Sequence, residues 1–369
     1  MKILLVGEYS NVHATLAAGF RALGHQVTVV SNGDFWKNYP RDIDLSRKPG
    51  KWGGLTYLAK TIALMHQLKG FDVVQLINPM FLELKAQRIT PFYRYLRRHN
   101  KKMFLGAFGM DYYWVHENVT RKPLRYSDFN IGDLLREDEA AQREKRDWIG
   151  TEKEKLNKMI ATDCDGIIAG LYEYWACYKP LFPTKTTFIP YPIKPKESRK
   201  TQNPPHPLRL FIGISKGRSA YKGTDIMLKA AKAIKSKYPS DVELRIAEGI
   251  PFNEYTKMMK DADAILDQLY SYTPSMNPLE AMSRGIICIG GGEPENYEIL
   301  GDSDLRPIVN VQPTYESVYT SLEWMVMHPE KISRLKTESR LYIQRYHHYL
   351  KVAQEYIDLY KSTTRRAKT

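Results

Sequence analysis

At 369 residues the chain is too long for one ordinary domain and fits two of roughly 150–200 residues each. With 43% hydrophobic and 26% charged residues it is excluded from the disordered class, and its three cysteines, Cys164, Cys177 and Cys288, show neither a disulfide framework nor zinc-ligand spacing. The net charge of +14 favours an anionic partner, and no apolar run approaches the ~18 residues of a membrane-spanning helix.

The first residues, MKILLV, run directly into an apolar strand pattern with one early lysine, which does not read as a signal peptide and is expected of a cytoplasmic protein. Strand 2–6, a loop carrying Glu8, a helix over 12–23 closed by Gly24 and a strand at 26–30 form a β-α-β opening, the pattern of a parallel sheet with crossover helices. Residues 36–54 read as a long loop. Helices are expected at 55–68, 91–99 and 137–159, and strands at 73–77, 102–105, 166–169 and 187–189.

Six prolines between 190 and 207 leave no regular element possible, so 196–207 is the expected linker after a first domain of 1–195. The alternation then resumes. Strands are expected at 208–214, 242–247, 264–267, 286–289 and 308–311, with helices at 224–237, 253–259 and 277–284. The second domain is expected to run over 208–340, closing with helices at 315–327 and 329–338. A last helix, 341–361, ends the chain. The fold class expected is therefore α/β, with two Rossmann-like domains facing across a cleft.

Two segments carry the chemistry. In GISKGRSAYKGTD, a strand ends in a loop bearing Lys216, Arg218 and Lys222 before a helix, which suits a diphosphate that gains charge as its bond breaks. Downstream, DQLYSYTPSMNPLEAM places Ser275, Met276 and Asn277 at a helix start and Glu280 one turn in. Free N–H groups there suit a phosphate, and a carboxylate suits a ribose diol. Gly290, Gly291 and Gly292 follow the next strand and would let backbone approach a ligand closely.

These segments resemble the retaining GT-B glycosyltransferases of glycosyltransferase family 4, through Lys222-Gly223, Glu280-Ala281-Met282, Gly285 and the glycine run. The resemblance implies a metal-independent, retaining hexosyl transfer from a nucleoside diphosphate sugar to a glycan or lipid-linked acceptor, with no cofactor, in cell-surface polysaccharide synthesis. It implies that Lys222 binds the diphosphate, together with Lys216 or Arg218, and that Glu280 holds the ribose. The family's other glutamate, eight residues before Glu280, is here Tyr272, which offers a hydroxyl but no carboxylate; Glu293 is a neighbouring substitute. An inactive nucleotide-sugar-binding relative and a GT-B-fold epimerase are the alternatives.

In the first half, Phe108-Gly109-Met110-Asp111 resembles the family's Gly-x-Asp turn, which makes Asp111 and nearby His116 catalytic candidates and places Glu8, His13 and Asp111 on the acceptor side. The closing helix resembles one that packs back on the first domain, so 341–369 is expected there. Residues 1–200 hold 32 Lys/Arg against 21 Asp/Glu. Within them Arg94, Arg97, Arg98, Lys101 and Lys102 alternate with aromatics, as on a helix lying against an anionic membrane. Zinc spacing, aromatic RNA-binding motifs and helix-turn-helix patterns are all missing, so no nucleic-acid partner is expected.

Overall fold

The computed structural model describes residues 1–50, 52–195, 207–215, 217–302 and 304–365. The chain divides into two compact units. Unit one comprises Met1–Thr120, Glu144–Pro192 and Tyr349–Thr369, and unit two comprises Arg121–Arg143 and Ile193–His348. This departs from the expected first domain of 1–195: the segment Arg121–Arg143 packs with the second unit, through long-range contacts described below. Most of the expected linker, 196–206, lies outside the described residues.

Unit one holds a seven-stranded parallel sheet. Its strands lie in the order Ile43–Asp44, Gln26–Ser31, Lys2–Val6, Val73–Leu76, Lys102–Ala107, Gly166–Ala169 and Thr186–Phe188. The strands Val73–Leu76 and Gly166–Ala169 are buried along their whole length, because helices cover both faces of a parallel sheet. The Ile43–Asp44 strand lies inside the expected long loop; two residues are too few to show a period. The expected 137–159 helix is two helices, Glu139–Trp148 and Glu152–Asp163, parted at Gly150, with the Thr151 hydroxyl accepting from the Lys153 N–H. The helix expected from Pro91 starts at Ala86 and contains the proline. The carbonyl deprived of its partner belongs to Gln87, which is exposed and can be hydrated.

Unit two holds a five-stranded parallel sheet in the order Val242–Glu248, Leu208–Ile214, Ala264–Leu266, Ile287–Gly290 and Val309–Asn310. Its core joins Leu210, Ile212, Leu266, Ile287 and Ile289 to Met227, Ile234, Val318 and Leu322 from the helices Thr224–Lys237 and Tyr315–Met327. A short antiparallel hairpin, Asn130–Ile131 with Leu134–Leu135, belongs to the Arg121–Arg143 segment.

The expected closing helix is also interrupted. The Pro329–Tyr342 helix passes through a π-turn at Ile343–His347, and His348 is extended. The Ile193 N–H donates to the His347 carbonyl at 2.6 Å, which supplies that carbonyl with a non-helical partner. Beyond the break, Tyr349–Ser362 belongs to unit one and packs on the Val12–Ala22 helix. Gly19 admits the Tyr349 carbonyl and Ala353, Tyr360 packs at a tilt against Phe20 and Phe104 and donates to Gln75, and Lys102 donates to the Tyr360 carbonyl.

Candidate functional site

In an open parallel sheet a crevice forms where neighbouring strands send their following connections in opposite directions. In unit two this happens between Leu208–Ile214 and Ala264–Leu266, which are adjacent and parallel. The loops leaving them are 215–223 and 267–275, the two segments that the sequence singles out.

The first loop ends in the short Ser219–Lys222 helix, and Gly223, at φ 72°, turns the chain into Thr224–Lys237. A Cβ on Gly223 would lie 2.5 Å from the Leu269 Cβ, so the two loops touch only because this residue is glycine. The Leu269 N–H donates to the Lys222 carbonyl at 3.0 Å and locks them together. The half-buried Lys222 ammonium has no hydrogen-bond or carboxylate partner among the described residues. Arg218 is exposed, with its guanidinium 5.1 Å above the Tyr221 ring. Lys216 lies outside the described residues.

The second loop leads into Met276–Ser283. Asp267, just past its strand, accepts from Asn277 at 2.8 Å and from the Ser275 hydroxyl at 3.3 Å, and Asn277 also donates to the Tyr255 hydroxyl. The side chains of Ser275 and Asn277 therefore fix the helix start in place. The Ser275 side chain does not cap this helix, and among the described residues no side chain accepts the N–H groups of Met276 and Asn277. Glu280 is half-buried on its second turn, one oxygen accepting from Arg284 at 2.9 Å.

Tyr272 is turned inward. Its hydroxyl accepts the Arg125 N–H at 2.7 Å, its ring packs on Tyr126, and the Arg125 guanidinium lies 4.9 Å above it. Glu293 is enclosed as well, accepting from Tyr126 (2.6 Å), Gln312 (2.6 Å), Asn310 (3.0 Å) and Arg125 (2.6 Å). Burial opposes its ionisation, but these hydrogen bonds and the Arg125 charge outweigh burial and hold the carboxyl below its ordinary range. The glycine run also serves the fold. A Cβ on Gly291 would lie 2.1 Å from the Ser271 carbonyl oxygen, so the close approach is made by the neighbouring loop and not by a ligand.

Sequence reasoning missed Arg136. Its buried guanidinium donates to the carbonyls of Ala220 (2.7 Å) and Tyr221 (3.0 Å), lies 3.7 Å above the Tyr270 ring and pairs with Asp138. It thereby holds the end of the basic loop through two carbonyls of the short helix, one of which, that of Ala220, also accepts the Gly223 N–H at 3.2 Å. No local pattern marks this role, since the partners lie more than eighty residues away.

The corresponding edge of unit one is different. Sheet order reverses between Lys2–Val6 and Val73–Leu76, and the loop after the first strand carries Glu8. The Glu8 carboxylate oxygens accept the N–H groups of His13 (3.2 Å) and Ala14 (2.8 Å), capping the helix. Burial pushes the Glu8 carboxyl up to about 8 against those bonds. The His13 Nδ1 lies 2.8 Å from the Gly7 carbonyl, which makes that nitrogen the donor and leaves Nε2 a buried lone pair without a partner among the described residues. Burial holds the imidazole neutral, its value lowered to about 3. Asp111 caps the Tyr112–Thr120 helix through the Trp114 N–H and accepts the Tyr178 hydroxyl at 2.8 Å; burial raises it to about 7. His116, half-exposed, pairs with Glu117 at 3.0 Å and stacks on Tyr112. The expected acceptor-side residues are thus chiefly helix caps and core contacts.

The basic helix is likewise turned inward in part. Arg97 is buried and pairs with Asp165 (2.6 Å) and Asp163 (3.3 Å), Lys102 caps the last helix, and Lys101 pairs with Asp72. Phe92 and Tyr93 belong to the core, leaving Arg94 and Arg98 exposed. No helix among the described residues is long and apolar enough to cross a membrane.

The clefts among the described residues include two open ones of similar size. One, of about 550 Å³, lies in unit one between Arg47, Met80, Glu83, Lys85, Asp147 and Lys153. The other, of about 580 Å³, borders the basic loop of unit two at Gly217 and Ser219 and runs along Asp225, Lys229 and Lys232. Neither has Lys222 or Glu280 in its wall.

No family model matches the chain, and no curated protein matches it. Solved structures are similar in fold. HepE from Anabaena, in complex with UDP and glucose, has a TM-score of 0.61 at 10% identity, covering 98% of this chain and 100% of that one. Sucrose-phosphate synthase from Thermosynechococcus elongatus has a TM-score of 0.63 at 14% identity over 98% of each chain. UDP-GlcNAc 2-epimerase from Neisseria meningitidis, bound to UDP-GlcNAc, has a TM-score of 0.55 at 11% identity, covering 97% of this chain and 99% of that one. At such identities the likeness concerns the fold: α/β with two Rossmann-like units, the GT-B class expected from the sequence.

Proposed function

We propose that the chain is a glycosyltransferase that takes a sugar from a nucleoside diphosphate sugar bound at the unit-two crevice. The observation that carries this reading is the presence, at one topological switch point, of Glu280 with a Lys222 and a helix start that have no side-chain partner among the described residues. Lys222, with Arg218 or Lys216, holds the diphosphate and stabilises the charge that it gains on leaving. The N–H groups at Met276 take a phosphate oxygen, and Glu280 accepts from the ribose hydroxyls. Transfer to a glycan or lipid-linked hydroxyl proceeds with retention and without a metal, the acceptor proton passing to the leaving phosphate oxygen. The like fold of HepE, solved with UDP and glucose, supports this reading.

A panel of uridine, guanosine and adenosine diphosphates and their sugars tests it. One of them raises the melting temperature of the wild type and fails to do so for Glu280→Ala. A panel without any such ligand overturns the reading. A second reading rests on Tyr272 and Glu293: with the hydroxyl committed to Arg125 and the carboxylate to four donors, neither supplies a free carboxylate at the sugar position of the family pattern. An epimerase of this fold, or a nucleotide-sugar-binding protein without turnover, accommodates that. Product analysis with donor alone separates them, since an epimerase releases an altered sugar without an acceptor.

A further inference from the structure

Unit one presents an apolar helix face that its own fold leaves uncovered. The Gly53–Leu64 helix is seated through Gly53, Tyr57 and Thr61, which are buried, and the Tyr57 hydroxyl accepts the Glu83 N–H at 3.1 Å. On the other side Trp52, Leu55, Ala59 and Ile62 follow one another at steps of three, four and three residues, a single stripe on a helix. Trp52 is 75% exposed, and Leu55 and Ile62 are each 59% exposed. A second exposed apolar point, Phe35 and Trp36, is tied to this helix through Arg41, which bonds Asn38 and Asp44, the latter facing Lys60 at 3.7 Å.

Charge identifies the occupant. Residues 34–69 carry seven Lys/Arg against three aspartates, and the aspartates are already paired, Asp34 with Lys37, Asp42 with Arg21 and Asp44 with Arg41. Arg47 and Lys48, which lead into the helix, have no carboxylate partner among the described residues. A second copy of the chain would bring the same positive set against itself, which a symmetric contact cannot relieve. A free glycan is less suited, because three of the four stripe residues, Leu55, Ala59 and Ile62, are aliphatic and offer nothing to its hydroxyls. We infer that the Trp52–Leu55–Ala59–Ile62 stripe, with Arg47 and Lys48, docks on the surface of an anionic lipid bilayer. The apolar face enters the headgroup boundary while the cations meet lipid phosphates. This surface replaces the Arg94–Lys102 segment as the membrane contact and does not depend on the proposed reaction.

Flotation of the full chain with phosphatidylcholine vesicles, with and without phosphatidylglycerol, tests it. The wild type floats with the anionic vesicles and not with the neutral ones. Replacing Trp52, Leu55 and Ile62 together by serine lowers the bound fraction at least tenfold. Arg47→Glu with Lys48→Glu lowers affinity by about fivefold for each charge removed and flattens its salt dependence. Both variants keep the wild-type melting temperature, because the side chains are exposed; should the serine variant melt early, the charge variant decides alone. Three results overturn the inference: no flotation of the wild type, equal flotation by the variants, or equal binding to neutral vesicles. A concentration-dependent dimer that the serine variant dissolves also overturns it, assigning the face to a second copy.

Discussion

The two sheet edges where strand order reverses are built alike and spend their polar side chains differently. In unit one Glu8 and Asp111 cap helices, His13 bonds a carbonyl, and burial shifts all three. In unit two Lys222 is unpartnered among the described residues and Arg218 meets only a ring. The unit-one edge thus commits these polar groups to the fold, whereas the basic loop of unit two keeps a lysine without a partner among the described residues, and the proposed ligand site rests on that difference. Shifted groups cluster at functional sites often enough to serve as pointers, but burial of a helix cap produces the same signature.

Substitutions can break this contrast. The largest effect is expected at Gly223→Val, which combines a left-handed backbone with a side chain thrust into Leu269. It should cost about 4 kcal/mol in denaturant unfolding and abolish nucleotide binding. Arg136→Met removes a charged donor from the Ala220 and Tyr221 carbonyls and the ion pair from Asp138. It should cost about 3 kcal/mol and weaken nucleotide affinity roughly tenfold, because the basic loop loses its anchor.

Lys222→Ala sharpens the contrast from the other side: melting should be unchanged while nucleoside diphosphate affinity falls roughly ten- to a hundredfold by calorimetry. Asp111→Asn should do the reverse. The folded-state value of Asp111, raised to about 7, means that the folded unit keeps a proton that the unfolded chain has released. That contribution is complete below the ordinary carboxylate value and is lost as pH rises through about 7. Wild-type melting temperature should therefore fall over that window, and the asparagine variant should show a shallower fall with unaltered nucleotide binding. Smallest is Tyr272→Phe, expected to cost about 1 kcal/mol by removing the acceptor of the Arg125 N–H.

The sheets were readable because buried parallel strands are short apolar runs between glycines and helical periods, as in Lys2–Val6 and Leu208–Ile214. Ile43–Asp44 and the 130–135 hairpin were not, since two-residue strands carry no period. Lys222 and Glu280 stood out through local spacing. The commitment of Tyr272, Glu293 and Arg136 to one another's segments did not, because it depends on contacts across eighty-four or more residues. For the same reason Arg121–Arg143 was assigned to the wrong unit. The glycine run was recognised, but what approaches it, the Ser271 carbonyl and not a phosphate, is a tertiary fact.

The central claim is that the unit-two edge binds a nucleoside diphosphate through Lys222 and Glu280. Titration calorimetry of uridine, guanosine and adenosine diphosphates into the wild type, Lys222→Ala and Glu280→Ala tests it directly. One nucleotide should bind the wild type, with affinity reduced at least tenfold in each variant at unchanged melting temperature. Unchanged affinity in both variants, or no binding of any of the three to the wild type, would contradict it.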